Sequence, residues 1–304
     1  MRVLVTGARG LLGTELRLRW RAAGIEALGT TRAPQPNEEL IPLDITAPDQ
    51  VRQVLSAVRP DVVVHCAALT NVDACEQQPE QAYRINAFGT ELIAAQCQRL
   101  GATCVYVSTD YVFDGAKQAP YHEYDVPNPL SVYGRSKLAG EQAVQALCQR
   151  YYIIRVAWLY GAHRPTFPHY VLEQARAGKS PVAIVDQVGS PTYVADIADR
   201  LLRLLSSECY GIYHLTNTEP VSRYEFARAI LQAAGATIEP EPLRLAEWRV
   251  PAPRPPYSAL VSWRLEWAGV PAMPSWRDAL KRFLREVLGE EAIRNSVAPL
   301  QGGT

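Results

Sequence analysis

Tyr133 and Lys137 stand four residues apart in "SVYGRSKLAGEQAV", residues 131 to 144, in a chain with only four lysines among its 31 basic residues. On an α-helix, positions i and i+4 share a face, so a phenol and an ammonium at this spacing point the same way. Such a pair can move a proton. A phenol of pKa about 10 is a sluggish acid near neutral pH, and an ammonium beside it favours phenolate and lowers that value. The spacing alone is modest support: fifteen tyrosines and four lysines in 304 residues give roughly 0.2 such pairs by chance, and an amphipathic surface helix can carry both residues without chemistry. A third group comes from "VYVSTDYVFDG", where Ser108, Thr109 and Asp110 end an apolar run. The Thr109 hydroxyl can donate to a carbonyl oxygen as charge grows on it. Hydride delivered to a ketone leaves an alkoxide, which Tyr133 could protonate and for which Lys137 would tune the phenol.

Hydride chemistry needs a carrier, and "VTGARGLLG" offers a place for one. Gly7, Gly10 and Gly13 recur at three-residue intervals directly after "RVLVT" and ahead of an amphipathic segment. Glycines there permit a tight turn and close backbone approach to a pyrophosphate, while the helix N-terminus supplies free N–H groups and partial positive charge. Where an acidic residue would grip the ribose hydroxyls of NAD, the chain reads "ALGTTRAP", with Arg32 and no Asp or Glu. Arg32 either meets a 2′-phosphate or is a solvated arginine. The expected cofactor is NADPH, with NADH left open.

These residues need a frame, and the pattern describes one. "RVLVT", "IEALGTT", "LIPLD", "DVVVHCAA", "TCVYVSTD" and "YYIIRVAWLYG" read as strands. Helical spacing runs through "LLGTELRLRWRAAG", "APDQVRQVLSAVR", "PEQAYRINAFGTELIAAQCQRLG" and the Tyr133 segment between them. Strand and helix alternating this regularly imply right-handed crossovers and an α/β, Rossmann-type doubly wound parallel sheet. Residues 1–160 are expected to form the nucleotide-binding domain with Thr109, Tyr133 and Lys137. Residues 161–290 are expected to form a smaller C-terminal, mainly substrate-binding region interleaved with it, with helices near 167–177, 193–205, 222–234 and 274–288. The span "EPEPLRLAEWRVPAPRPPYSALV" carries Trp248 and Tyr257 and reads as an ordered loop with substrate contacts rather than a linker. The end, "NSVAPLQGGT", is polar and glycine-ended, and is expected to fray.

Composition excludes several classes of function. Lys plus Arg and Asp plus Glu both total 31, so no net field favours nucleic acid or an anionic membrane. No stretch approaches the roughly 18 apolar residues of a membrane helix. Six cysteines without CxxC spacing, and an N-terminus too short in apolar residues for a signal peptide, imply a reducing, cytoplasmic setting. Five scattered histidines form no HExxH or clustered ligand set, so no metal is expected.

In combination, "TGARGLLG", "LDI" at 43 to 45, "CAALTNVD", "STDYVFDG" and "YGRSK" resemble the extended short-chain dehydrogenase/reductase family over essentially the whole chain. More narrowly, "NPLSVYGRSKLAGE", "RVAWLYG", "VDQVGSPTYVADIA", "GIYHLTNTEPVSRYEFARAI" and "RPPYSAL" are similar to its dTDP-4-dehydrorhamnose reductase branch. The resemblance implies a catalytic set of Thr109, Tyr133 and Lys137. It implies cofactor contacts from Gly10, Leu11, Leu12, Asp44, Ile45, Ala68, Leu69, Thr70 and Lys137, and sugar contacts from Thr109, Asp110, Tyr133 and Trp158. One position departs: Thr166 stands where the family often carries Asn before the Phe.

The expected reaction is NADPH-dependent reduction of the C4 ketone of a dTDP-linked 4-keto-6-deoxy sugar, with a homodimer allowed. A dehydratase of the superfamily would present Thr-Asp-Glu, whereas Tyr111 fills the Glu slot here. A 4-epimerase would retain NAD. A non-catalytic subunit resembling the methionine adenosyltransferase β subunit is the reading from another class. Several residues keep two readings each: Trp158 stacks on a sugar or is core, and Asn86 braces the active-site helix or is a polar residue on the surface. Arg254 grips a diphosphate or pairs with a carboxylate, and Tyr111, Phe113 and Tyr121 line a sugar pocket or pack their loop.

Overall fold

A computed structural model describes residues 1–289. The expected fraying of residues 295–304 lies outside the described residues. Seven strands form one parallel sheet: β1 (Arg2–Thr6), β2 (Glu26–Thr31), β3 (Ile41–Pro42), β4 (Val62–His65), β5 (Thr103–Thr109), β6 (Tyr151–Val156) and β7 (Gly211–His214). Their spatial order is β7-β6-β5-β4-β1-β2-β3. The order reverses at β1, between β4 and β2, which opens a crevice at the carboxyl ends of the strands. β4 is buried at every position, as its unbroken "VVVH" run requires of a strand covered on both faces. β3 is shorter than "LIPLD" suggests: only Ile41 and Pro42 pair with β2, at the sheet edge, where a proline lacking an N–H is tolerated.

Helices cover both faces: α1 (Leu11–Ala22), α2 (Pro48–Val58), α3 (Val72–Gln77), α4 (Pro79–Tyr83), α5 (Gly89–Leu100) and α6 (Val132–Leu147). α4 and α5 are one continuous rod joined through a π-helical turn, Arg84–Phe88. The chain then adds α7 (Phe167–Arg176), α8 (Val194–Leu205), α9 (Arg223–Ala233), α10 (Arg264–Trp267) and α11 (Trp276–Leu288).

Two hydrophobic cores divide the later residues between them. One face of the sheet packs Leu12, Leu16 and Trp20 of α1 with Ile197, Ala198 and Leu201 of α8 and with Leu265 and Met273. The Trp20 indole donates to the Ala198 carbonyl at 3.0 Å, fixing α8 on α1. A separate core joins Tyr160, Val171, Phe226, Ile230, Trp276 and Phe283. Arg282 on α11 clamps the buried Asp196 on α8 at 2.7 and 2.9 Å, linking this core to the first. Residues after 160 thus build a small lobe and also complete the main sheet.

Candidate active site

A cleft of about 1030 Å³ runs along the carboxyl ends of the strands. One wall is the glycine loop. Gly7 sits at φ +65°, and a Cβ there would meet the Ala67 backbone at 2.8 Å; a Cβ on Gly13 would meet the Gly7 carbonyl at 2.5 Å. The loop therefore presses against the chain leaving β4, and glycine is required for that approach. Gly10 precedes α1 with no side-chain cap, so first-turn N–H groups are available to an anionic group. A crevice of this shape, with a glycine cradle and an uncapped helix start, fits a dinucleotide.

The cleft continues past Arg32, Asp44 and Ile45 to Ala68, Leu69 and Thr70. Asp44 accepts from the Thr46 backbone and hydroxyl, both at 2.8 Å, and its carboxyl is held below the usual range by the Thr46 backbone first, with Arg32 and Arg84 adding to the effect. Arg84, on the π-turn, lines an adjoining pocket with Arg32 and Thr46. Sequence reasoning had not picked it out. Asn86, two residues on in the same turn, is fully buried: its amide bonds Leu69 N at 2.8 Å, Leu69 O at 3.0 Å and Ser136 Oγ at 3.0 Å. It braces the loop after β4 against α6.

α6 carries Tyr133 and Lys137 into the same cleft, where they meet Ser108, Thr109 and Asp110 from the end of β5. The helix starts where Ser131 Oγ accepts from the Gly134 N–H at 3.2 Å. It lies so near the β5 loop that a Cβ on Gly134 would stand 2.1 Å from the Tyr111 carbonyl. Lys137 is buried, donates to the Val107 carbonyl at 2.7 Å and sits 4.0 Å above the Tyr106 ring. Burial draws its pKa down to about 7, opposed mainly by Glu141 one turn further along the helix. Glu141 is itself clamped by buried Arg155 at 2.7 and 2.9 Å and accepts from Ser108.

The proton balance differs from the expectation that Lys137 holds the Tyr133 phenol below its ordinary value. Burial raises the Tyr133 pKa well above it, and the Thr109 hydroxyl is what draws it back. The physical reason is desolvation, which outweighs a lysine directed at a carbonyl and itself pushed toward neutrality. Asp110 is raised to about 6, by burial first, although Ser258 donates to it at 2.6 Å and Thr109 at 3.0 Å.

At the far end stands Trp158. It breaks the strand expected through "RVAWLYG": its backbone takes φ +45°, a costly conformation for a bulky residue, and the ring lines the cleft. Thr166 also lines this end while capping α7 with His169 in a reciprocal pair.

Two residues expected to contact substrate, Arg254 and Tyr111, are not among those that line this cleft. Arg254 is turned onto Asp73, with both fork nitrogens on the carboxylate at 2.8 Å, because a buried guanidinium is best satisfied by a planar carboxylate. Tyr111 packs edge-on against Tyr133 with ring centroids 5.9 Å apart. Phe113 and Tyr121 are buried and stacked at 4.2 Å, packing their loop with Leu260.

A reversing parallel sheet, a glycine loop at the reversal, and a Tyr–Lys pair facing a Thr at the end of β5 are the arrangement of an extended short-chain dehydrogenase/reductase. Within that class, the chain belongs to the family described as the RmlD substrate binding domain, whose model matches residues 1–288. A dTDP-4-dehydrorhamnose reductase of Mycobacterium tuberculosis is 40% identical over 93% of this chain and 92% of its own. A probable dTDP-4,6-dihydroxy-2-methyloxan-3-one 4-ketoreductase of Streptomyces antibioticus is 36% identical over 96% and 97%. The crystal structure of the Bacillus anthracis dTDP-4-dehydrorhamnose reductase in complex with NADP superposes with a TM-score of 0.88 at 38% identity, covering 94% of this chain and 99% of that one.

Proposed function

We propose that the protein reduces the C4 ketone of dTDP-4-dehydro-6-deoxy-L-mannose with NADPH, giving dTDP-L-rhamnose. The observation that carries this reading is the convergence of Thr109, Tyr133 and Lys137 on one cleft whose opposite wall is the glycine loop. NADPH, when bound, supplies the hydride. The first turn of α1 and Gly7, Gly10, Leu11, Leu12 and Gly13 would hold its pyrophosphate. Arg32 would meet the 2′-phosphate, and Asp44, Ile45, Ala68, Leu69 and Thr70 would line the remaining wall.

Tyr133 gives its proton to the ketone oxygen as charge develops there, and the Thr109 hydroxyl, turned from Asp110, donates a hydrogen bond to the same oxygen. A phenol held above its ordinary pKa stays protonated until it is needed. Lys137, fixed through the Val107 carbonyl, stabilises the phenolate that remains. Asp110 and Trp158 would contact the sugar. With Tyr111 in place of a second carboxylate, the site lacks the acid–base pair that water elimination requires.

A homodimer is compatible with this reading. Among the described residues no helix is long and apolar enough to cross a membrane. The six cysteines are unpaired, which suits the reducing cytoplasm where we place the protein. The test follows NADPH absorbance with the 4-keto-L-sugar nucleotide and, separately, 4-keto product from dTDP-glucose. NADPH loss in the first and nothing in the second is expected. The 4-keto product from dTDP-glucose would overturn the reading, and inertness toward both would favour a non-catalytic nucleotide-binding subunit.

A further inference from the structure

Arg223 opens α9, directly after the Ser222 cap, and its guanidinium carbon lies over the Trp158 indole, 3.6 Å from the ring centroid and 5.1 Å from that of Phe167. Its backbone N–H donates to the Gln187 carbonyl at 3.1 Å, and among the described residues its side chain makes no hydrogen bond. Among the described residues no carboxylate oxygen lies within 4.0 Å of its side-chain nitrogens. Burial lowers its pKa to about 10, with Tyr111 and Asp110 holding it up. The surroundings are rich in donors: among the described residues the Trp158 indole N–H is buried without an acceptor, and the 2% exposed Gln187 bonds the Tyr111 side chain and reaches the Pro255 carbonyl at 3.5 Å. Arg223 is half-buried, and a guanidinium with no ion-pair partner gains when an anion with several acceptor oxygens enters. Arg254, the arginine whose sequence context suggested a diphosphate contact, has its fork taken by Asp73.

We propose that Arg223 is the residue of this chain that binds the diphosphate of the nucleotide sugar, with the Trp158 ring setting the plane of its fork. The inference rests on the function proposed above and adds a specificity-determining residue to it. The left-handed backbone at Trp158 then has a role, since it turns the indole under the guanidinium. The position of that ring also depends on Gly189, where a Cβ would meet the indole at 2.4 Å.

The test titrates the full-length protein with dTDP and with dTMP by calorimetry, alongside steady-state reduction of the 4-keto sugar nucleotide. The parent should bind dTDP more tightly than dTMP, and Arg223→Gln should weaken dTDP binding about 10- to 100-fold and close that gap. The KM for the sugar nucleotide should rise with it, the loss falling on KM more than on kcat, while the Kd for NADPH stays put. Arg223→Lys should recover part of the loss, since it restores charge without the planar fork.

Parent-like dTDP binding in both variants would overturn the role, as would a variant that keeps dTDP but loses the sugar nucleotide, because the guanidinium would then serve the sugar ring. Misfolding of both variants, seen as a collapsed helical signal, would make Arg223 structural and equally end the proposal. A parent protein that neither binds dTDP nor consumes NADPH would instead sink the function proposed above.

Discussion

Tyr133 is asked to be an acid in a place that discourages its ionisation. Replacing it with Phe keeps the ring against Tyr111 and removes the hydroxyl that carries the proton, so kcat should fall about 10²- to 10⁴-fold with NADPH affinity unchanged, by stopped-flow turnover and fluorescence titration. Asp110 lends itself to a second measurement. Its carboxyl is raised from 3.8 to about 6, by burial first, so between those values the folded state binds more protons than the unfolded one. The stabilisation this gives is complete below pH 4 and is lost as pH rises through 6, a change of about 3 kcal/mol. The stability of the parent relative to Asp110→Asn, from urea melts at several pH values, should therefore decline from pH 4 to pH 7, and a flat difference would contradict it. At this scale the sequence separated residues whose chemistry is local from those whose partners are distant. Tyr133 and Lys137 were legible because four residues of helix relate them. Arg254 stayed two-valued because Asp73 lies far off in the chain. Arg223 went unnoticed because only the folded chain sets it over Trp158.

Helix α6 is the element on which the site depends, and two glycines let it approach. A Cβ on Gly140 would fall 2.4 Å from the Tyr106 hydroxyl, and on Gly134 it would strike backbone, which cannot swing aside as a side chain can. Gly134→Ala should therefore displace the first turn of α6, destabilise the protein by about 1 to 3 kcal/mol and reduce turnover together with it, measurable by thermal melts and kcat. Gly140→Ala, facing a side-chain hydroxyl as well as the Asn86 carbonyl, tests whether the approach is needed along the whole helix. Apolar periodicity located α6 well but could not register the π-turn, since one surplus residue in a helix leaves a pattern that still looks helical. The six-residue α3 escaped for a related reason: it is too short to show a period, and Pro79 cuts it from α4. Trp158 broke an apolar run that no residue type marks as a break.

For the whole molecule, the expected boundary near residue 160 is crossed by the main core. Ile197, Ala198, Leu201, Tyr213, Leu265 and Met273 pack in the same cluster as Val3, Leu12 and Trp20, and β7 pairs with β6 through four residues. A fragment ending at 160 would leave β6 as a bare edge and α1 without α8. It should show little cooperative unfolding by circular dichroism and no measurable NADPH binding, while residues 1–289 should melt in one transition. The short run "GIYHLT" could be read as a strand from its composition. Its place as the outermost strand of the main sheet could not, because nothing local records which edge a late strand joins.

That late strand also sets a timetable. The residues read as cofactor-binding are all made by position 137, yet the strand and helix that close their sheet and cover α1 are synthesised later, Met273 last among the residues packed there. At ordinary rates of translation the wait is roughly 5 to 20 s for each hundred residues. A nascent chain arrested in that interval should carry the whole glycine loop and the Tyr–Lys pair and still be unable to hold a nucleotide, so that acquisition of the cofactor belongs to the end of synthesis although its residues come first.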